Sequence, residues 1–600
     1  EYGHLAAHID PLGMADPPGD PALHPSDHGL TEADLRALPA SIIGGKPAEG
    51  ATNALDAIAR LREIYSTSIG YDYDHMRLPD ERAWLREAAE TRRFRPPNDP
   101  LDPRRLLEQL TKVEAFEHFL HRIFPGKTRF SVEGLDMMVP MLDIMLGESA
   151  DSGIYAILIG MAHRGRLNIL AHILHKPYTE ILQEFRDTAG DEHPAREFLG
   201  WTGDVKYHAG ASRSLTGKSP VDLVVTMVPN PSHLEHVNPV IAGMARAAGT
   251  HTEQPGRPYF DPQVVLPIVI HGDAAFPGQG IVAETLNLQR LRGYRVGGTI
   301  HIIANNQVGF TTSQWEGRST LYASDLAKGF KVPIVHVNAD DPEACVEVAR
   351  LACAYRQKFA TDFVIDLVGY RRYGHNEGDE PRFTQPRMYE AIDNHPTARK
   401  LWADELTKRG VVTPEESEQL FNSQIEALNH IYQSLPPEPP AALEPQLPPP
   451  PGGAARHART DVPSELLVDL NAELLRLPTN FHLNKKLART FDRRHDMFAD
   501  PDAKTVDWAT AEALAFATIL ADGTAIRLTG EDVERGTFSH RHAVLRDETS
   551  GAVYIPLQNL PQARAAFEVR NSQLSEAGTI DYEYGYSIQA PERLTIWEAQ

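Results

Sequence analysis

The stretch VVLPIVIHGDAAFPGQG, residues 264–280, runs an apolar segment into a bare aspartate, Asp273, set among glycine and small residues. The chain then resumes with the helical pattern IVAETLNLQRL. A nearly unbroken apolar run is the signature of a strand buried on both faces of a parallel sheet. Ligands sit beyond the carboxyl ends of such strands, where the next helix offers unpaired N–H groups. A lone carboxylate makes a poor phosphate contact, but it suits a hard cation that bridges to phosphate oxygens. Gly-Asp-small is also a common structural turn, so the reading depends on the rest of the chain.

Five further runs share this character: YAILIGMA (155–162), LVVTMVP (223–229), GTIHIIANN (298–306), VPIVHVN (332–338) and FVIDLVGY (363–370). They alternate with helical stretches between residues 105 and 434. This predicts an α/β fold whose parallel sheet is covered by helices on both faces, forming a first α/β domain. Residues 1–104 are polar, carry many Pro and Gly, and contain patterns such as TNALDAIARLREIYSTS, so they read as a helical region. The segment LPPEPPAALEPQLPPPPGG cannot continue a helix or central strand, and it marks a stiff linker at 435–460. A second helix and strand series occupies 461–600. It stops just after an apparent strand in LTIWEAQ, as a truncated second α/β domain would.

Acidic side chains outnumber basic ones by 82 to 59, a net charge of −23. That argues against nucleic acid or an anionic membrane as the main partner, and an anionic substrate then needs a local basic pocket. The apolar runs are far shorter than the roughly 18 residues of a membrane span, and no basic, apolar, small-residue leader opens the chain. Cys345 and Cys353 lie in one helical stretch and offer neither a disulfide framework nor a thiolate metal site. These features predict a soluble, unsecreted protein, with the bacterial cytoplasm favoured over a mitochondrial matrix.

Asn306 ends the strand-like run that follows Asp273, so two oxygen ligands would meet at one crevice edge. His163 and Arg164 follow IYAILIGMA, His208 lies in GDVKYH, and Ser232 and His233 follow LVVTMVP. A single histidine is more often a satisfied core or surface group. Several at strand ends, together with Arg164, would instead attract a dicarboxylate. The HRH of RGTFSHRHAV lacks a third ligand and reads as a structural loop.

The paired motifs at Asp273 and Asn306 resemble the Gly-Asp-Gly and Asn-Asn signature of thiamine diphosphate enzymes, with Ala274 standing where the last glycine would be. GMAHRGRLNIL, GDVKYH, NPSHLE, HGDAAFPGQG, NNQVGFTT, YRRYGHNEGDEP, RGTFSHRHAV and LSEAGTIDYEYGYS together resemble the 2-oxoglutarate dehydrogenases, the decarboxylating components of their multienzyme complexes. The resemblance runs from HLAAHIDPLG to WEAQ, and it implies a longer protein that extends beyond both ends.

For the site, the resemblance implies that Asp273, the Asn306 side chain and the Val308 carbonyl ligate Mg²⁺, which holds the cofactor diphosphate. Ala274 and Ala275 would bring backbone close to it. Arg164, Ser232, Leu234 and Arg371 would contact the cofactor, while His163, His208 and His233 would line the substrate region. Arg371 and His375 match a loop that closes over the diphosphate and excludes water. Glu576 matches the glutamate set against the aminopyrimidine ring, a role that asks for a buried carboxyl with a raised pKa.

The implied reaction is oxidative decarboxylation of 2-oxoglutarate, with the succinyl group passed to the lipoyl domain of a dihydrolipoyl acyltransferase. The implied assembly is a homodimer whose sites combine the first domain of one subunit with the second domain of the other. A 2-oxoadipate dehydrogenase remains an alternative, because one methylene is worth only about 1–3 kcal/mol in discrimination. So does a transketolase or simple 2-oxo acid decarboxylase without a lipoyl partner. A non-catalytic assembly subunit would not need Asp273, Asn306 and Glu576 all in place.

Overall fold

The computed structural model of the 600-residue chain describes residues 1–186, 210–215, 222–230, 233–376, 378–436, 456, 458–500 and 503–599. The chain forms two compact units. The first comprises residues 1–241, 262–290 and 296–439; the second comprises 242–261, 291–295 and 440–600.

An eight-stranded sheet organises the first unit. Its strands are β1 (Ile69–Asp72), β2 (Ala156–Met161), β3 (Ala211–Leu215), β4 (Leu223–Met227), β5 (Val265–Gly272), β6 (Ile300–Asn305), β7 (Ile334–Asn338) and β8 (Phe363–Val368). Their order across the sheet is β1-β7-β8-β6-β5-β2-β4-β3. The six apolar runs of the sequence are β2, β4, β5, β6, β7 and β8, and all six are parallel. The two edge strands, β1 and β3, pair antiparallel.

Alternate residues of the central strands face different cores. Ile302 and Ile365 pack into the large core with helices Met138–Asp151 and Pro342–Phe359. Their neighbours Ile303 and Val364 pack with Val282 and Leu286 of helix Gly280–Leu288. Both faces are therefore apolar, which is why these strands show no alternation in the sequence. Helix Pro342–Phe359 is opened by Asp341, whose carboxylate accepts from the Ala344 N–H, and by proline in its first turn; it stops at Ala360, which is left-handed (φ 52°).

Residues 1–104 hold the expected helices, among them Ala54–Tyr65 and Pro79–Glu90, but they also supply β1. The segment IGYD is too short and too mixed to show a period. Its burial comes from pairing with β7 and from the layer packed over it.

The second unit carries a parallel three-stranded sheet, with β9 (Ile526–Gly530) between β10 (Phe567–Asn571) and β11 (Leu594–Glu598). It has its own core around Leu520, Leu528 and Phe567. The division between the units falls at Pro439–Pro440, inside the proline-rich stretch, of which residues 437–455 lie outside the described residues. Among the described residues no helix is long and apolar enough to cross a membrane.

Candidate active site

Strand β2 pairs with β4 on one side and β5 on the other, so the sheet grows in opposite directions from this point. In an open parallel sheet such a switch leaves a crevice at the carboxyl ends. Because the six strands are parallel, the residues that follow β2, β5, β6 and β8 share one edge. His163 and Arg164, Asp273, Asn306, and Arg371 and His375 all come from these strand ends.

On one side of this edge lie the candidate oxygen ligands. Asp273 is buried, and that burial pushes its carboxyl up to about 6 despite Arg318 and the backbone amide of Asn306, which favour the anion. The two asparagines divide the work. Asn305 donates from Nδ2 to Asp366 Oδ1 at 2.9 Å and accepts from the Gln307 N–H at 3.1 Å, so both ends of its amide are engaged in holding the loop. Asn306 keeps its carboxamide Oδ1 buried with no hydrogen-bond partner. Leaving such an oxygen unmet costs about 1–3 kcal/mol, and a hard cation shared with Asp273 would satisfy it.

Val308 begins a tight hairpin, Val308–Gly309 against Thr312–Ser313. A Cβ on Gly309 would lie 2.6 Å from the Ala274 Cβ, too close for any side chain. Glycine at 309 thus makes the room that the Ala274 methyl occupies, and the departure from Gly-Asp-Gly is compensated across the loop. Ala274 itself is exposed, while Ala275 is buried and opens the short helix Ala275–Gly278.

The other side is cationic. Arg164 donates to the carbonyls of Ser131 (2.9 Å) and His375 (3.2 Å); burial and then the neighbouring Arg371 bring its pKa down to about 10. Arg371 donates from Nε to the Tyr389 hydroxyl (3.0 Å) and from Nη2 to the Phe310 carbonyl (3.1 Å), while its buried Nη1 has no partner. Its nearest carboxylate, that of Asp379, is 3.8 Å away. Two guanidinium groups in mutual reach, one with an unmet donor, suit a multivalent anion. Because Arg371 reaches the Phe310 carbonyl, four residues past Asn306, the cationic and anionic sides meet at one sheet edge.

His375 is flanked by the rings of Phe130 (5.5 Å) and Phe310 (4.7 Å), and Phe130 stacks on His163 (5.0 Å). Burial, then Arg164 and Arg371, lower His375 to about 4, which keeps it neutral at pH 7. His233 is exposed and meets His236 edge-on at 5.7 Å, with half-buried Leu234 beside it; its described contacts are not with the arginine group. His208 and Ser232 lie outside the described residues.

Glu576 is the first residue of helix Glu576–Gln589 in the second unit. It is exposed, not buried as the proton-relay role asks. The helix behind it is firmly anchored. Arg527 from β9 bonds Glu583 (2.7 Å) and Glu568 (2.7 Å), and the Tyr582 hydroxyl donates to the Tyr294 carbonyl at 2.8 Å. Gly243 approaches so closely that a Cβ there would sit 1.8 Å from the Tyr582 carbonyl oxygen. The outer face leaves Ile580, Tyr584 and Ile588 exposed at one-turn intervals.

Residues 133–443, which include His163, Arg164, Asp273, Asn306, Arg371 and His375, match the family model described as Dehydrogenase E1 component. The chain belongs to that family. Residues 504–600 of this E1 chain, Glu576 among them, match the Transketolase, pyrimidine binding domain. A protein of Geobacillus sp. (strain WCH70) named 2-oxoglutarate dehydrogenase E1 component is 49% identical, with 100% of this chain and 63% of that protein covered. Proteins of the same name from Bacillus subtilis (strain 168) and Bacillus cereus (strain AH820) are each 48% identical, again over 100% of this chain and over 64% and 62% of their own lengths. The E1 chain thus spans somewhat less than two thirds of the length of these relatives.

In this E1 chain the HRH loop is an ion-pair hub. Glu512, His540 and Glu598 lie close enough together to hold a metal. Arg541, however, already donates to Glu512 at 2.5 and 2.9 Å and to both carboxylate oxygens of Glu598. The residues that sequence reasoning missed are Phe130, Gln307, Phe310, Arg318, Asp366 and Tyr389 in the first unit and Arg527 in the second. Each acts by meeting a partner from another element, and no local motif announces such a meeting.

Proposed function

We propose that the sheet edge binds thiamine diphosphate through Mg²⁺, and that the whole protein is a 2-oxoglutarate dehydrogenase passing succinyl groups to the lipoyl domain of an acyltransferase. The observation that carries this reading is the buried, unpartnered Asn306 Oδ1 beside the buried Asp273. Asp273, Asn306 and the Val308 carbonyl would hold the cation, and Arg164 and Arg371 the diphosphate, with Ala274 and Ala275 beside it. Bound thiamine diphosphate supplies a nucleophilic carbon and an electron sink for decarboxylation.

The chain's own groups do the rest. Glu576 would be the residue set against the aminopyrimidine ring of the bound cofactor. Neutral His375 and its neighbour His163, walled by Phe130 and Phe310, line the reacting region and exclude water. By resemblance, His208, His233, Ser232 and Leu234 would supply the remaining substrate and cofactor contacts.

A homodimer is supported by the exposure of Glu576 and of the Ile580, Tyr584 and Ile588 stripe on the same helix. A carboxyl that must be desolvated, next to an apolar stripe, needs a covering surface. A cytoplasmic location is supported by two free cysteines and by bacterial relatives.

The test is a lipoyl-independent assay of the full-length protein with Mg²⁺, thiamine diphosphate and an artificial electron acceptor. Turnover of 2-oxoglutarate at least tenfold above that of 2-oxoadipate and pyruvate in kcat/KM is expected. Preference for either of the others would overturn the substrate assignment.

A further inference from the structure

Gln307 stands between Asn306 and Val308, and its backbone is left-handed (φ 67°) although it is not glycine. That conformation is disfavoured for a residue with a Cβ and persists where surroundings hold it. Its side chain is the handle. Nε2 donates to the Gly369 carbonyl at 2.9 Å and to Asp10 Oδ1 at 2.7 Å, and Oε1 accepts from Gln314 Nε2 at 3.1 Å. Asp10 is the charged member of that set, and bonds to an ionised partner are the stronger ones.

Asp10 lies 297 residues from Gln307 and outside the stretch, 133–443, that matches the family model. Its carboxylate is set in place locally, accepting from the N–H groups of Leu12 (3.0 Å) and Met14 (2.9 Å). The segment around it is fixed independently. The His8 N–H donates to the Thr67 carbonyl at 2.6 Å, and Asn338 donates to the His8 carbonyl at 3.2 Å. Leu12 packs against the cluster of Tyr370, Tyr389 and Ile392, and Tyr389 is the partner of Arg371 Nε. Residues 8–14 therefore touch the cation loop through Asp10 and the anion-binding arginine through Leu12 and Tyr389.

We infer that Asp10 is a positioning residue for the cation loop: it fixes Gln307 so that Asn306 and Val308 present their oxygens together, and residues 8–14 act as a strap across the cofactor site. This rests on the reading of that site as Mg²⁺ and diphosphate binding.

The experiment measures Mg²⁺-dependent thiamine diphosphate affinity of the full-length protein by calorimetric titration, with kcat at saturating cofactor and the cofactor-free Tm alongside. Asp10→Ala is expected to weaken cofactor affinity about tenfold, with kcat at saturation within about twofold and an unchanged cofactor-free Tm. Asp10→Asn, which keeps an acceptor oxygen but not the charge, should restore part of the affinity. Gln307→Leu removes the same bond from the other side, so the double variant should be no weaker than the worse single; it also decides the matter if Asp10→Ala folds poorly. Wild-type affinity in Asp10→Ala, or fully additive losses in the double, would overturn the strap. Asp273→Ala separates the two readings. If that variant keeps its affinity, the site assignment fails; if it loses affinity while Asp10→Ala does not, only the strap fails.

Discussion

Asn306 and Arg371 each keep one buried polar atom unmet, an oxygen and an N–H, at the same edge of the sheet. Folding a chain around such atoms is unfavourable unless a ligand later meets them. Asp273→Ala or Asn306→Ala should therefore abolish Mg²⁺-dependent cofactor binding in a calorimetric titration while leaving the cofactor-free Tm nearly unchanged, because neither side chain supports the core. Arg371→Lys keeps the charge but loses the planar fork, and about a tenfold loss of cofactor affinity is expected. Asp273 and Asn306 were legible in the sequence because each directly follows an apolar strand. The sequence pointed to Asn306 rather than Asn305, but why Asn305 is taken up was not legible, since that depends on Asp366 accepting the Asn305 amide from the neighbouring strand.

Between elements, two contacts carry testable weight. Gly309 and Ala274 share space for one methyl group, so Gly309→Ala should weaken cofactor binding and Ala274→Gly should rescue it in the double variant. Rescue shows up as non-additivity in the two measured affinities. Behind the cation loop, Asp366 also bonds His336 at 2.8 Å, and Asp72 lies 3.7 Å from its other nitrogen, with the rings of His4 and Tyr322 against it. Burial alone would lower His336, but these carboxylates outweigh it and raise the pKa to about 9. A folded pKa above the unfolded value of about 6.5 gives stability that is complete below pH 6.5 and lost as pH rises through 9, up to roughly 3 kcal/mol. The urea midpoint of the wild type should fall over that range, and His336→Gln should flatten the decline; an equal slope in both proteins contradicts the assignment. The six parallel strands were readable because both faces are apolar. β1 was not, because four residues between helices carry no period.

At the scale of the whole molecule, the sequence showed two α/β series and a proline-rich break. It did not show that residues 242–261 and 291–295 group with the second unit, because that membership is made by Gly243 and Tyr294 meeting the helix that begins at Glu576. Composite sites predict complementation in the full-length protein. Asp273→Ala chains co-folded with Glu576→Ala chains, each inactive alone, should recover activity, since a mixed dimer gathers both defects in one site and leaves the other intact. A mixture that stays inactive would mean each chain builds its own site. In the proposed function, the carboxyl edge of the large sheet holds a cation-bridged diphosphate. Crystals of the full-length protein grown with thiamine diphosphate and Mn²⁺ test it by anomalous scattering. The expected peak lies roughly 2.1 Å from an Asp273 carboxylate oxygen, Asn306 Oδ1 and the Val308 carbonyl; an empty edge, or a peak among Glu512, His540 and Glu598 instead, would contradict it.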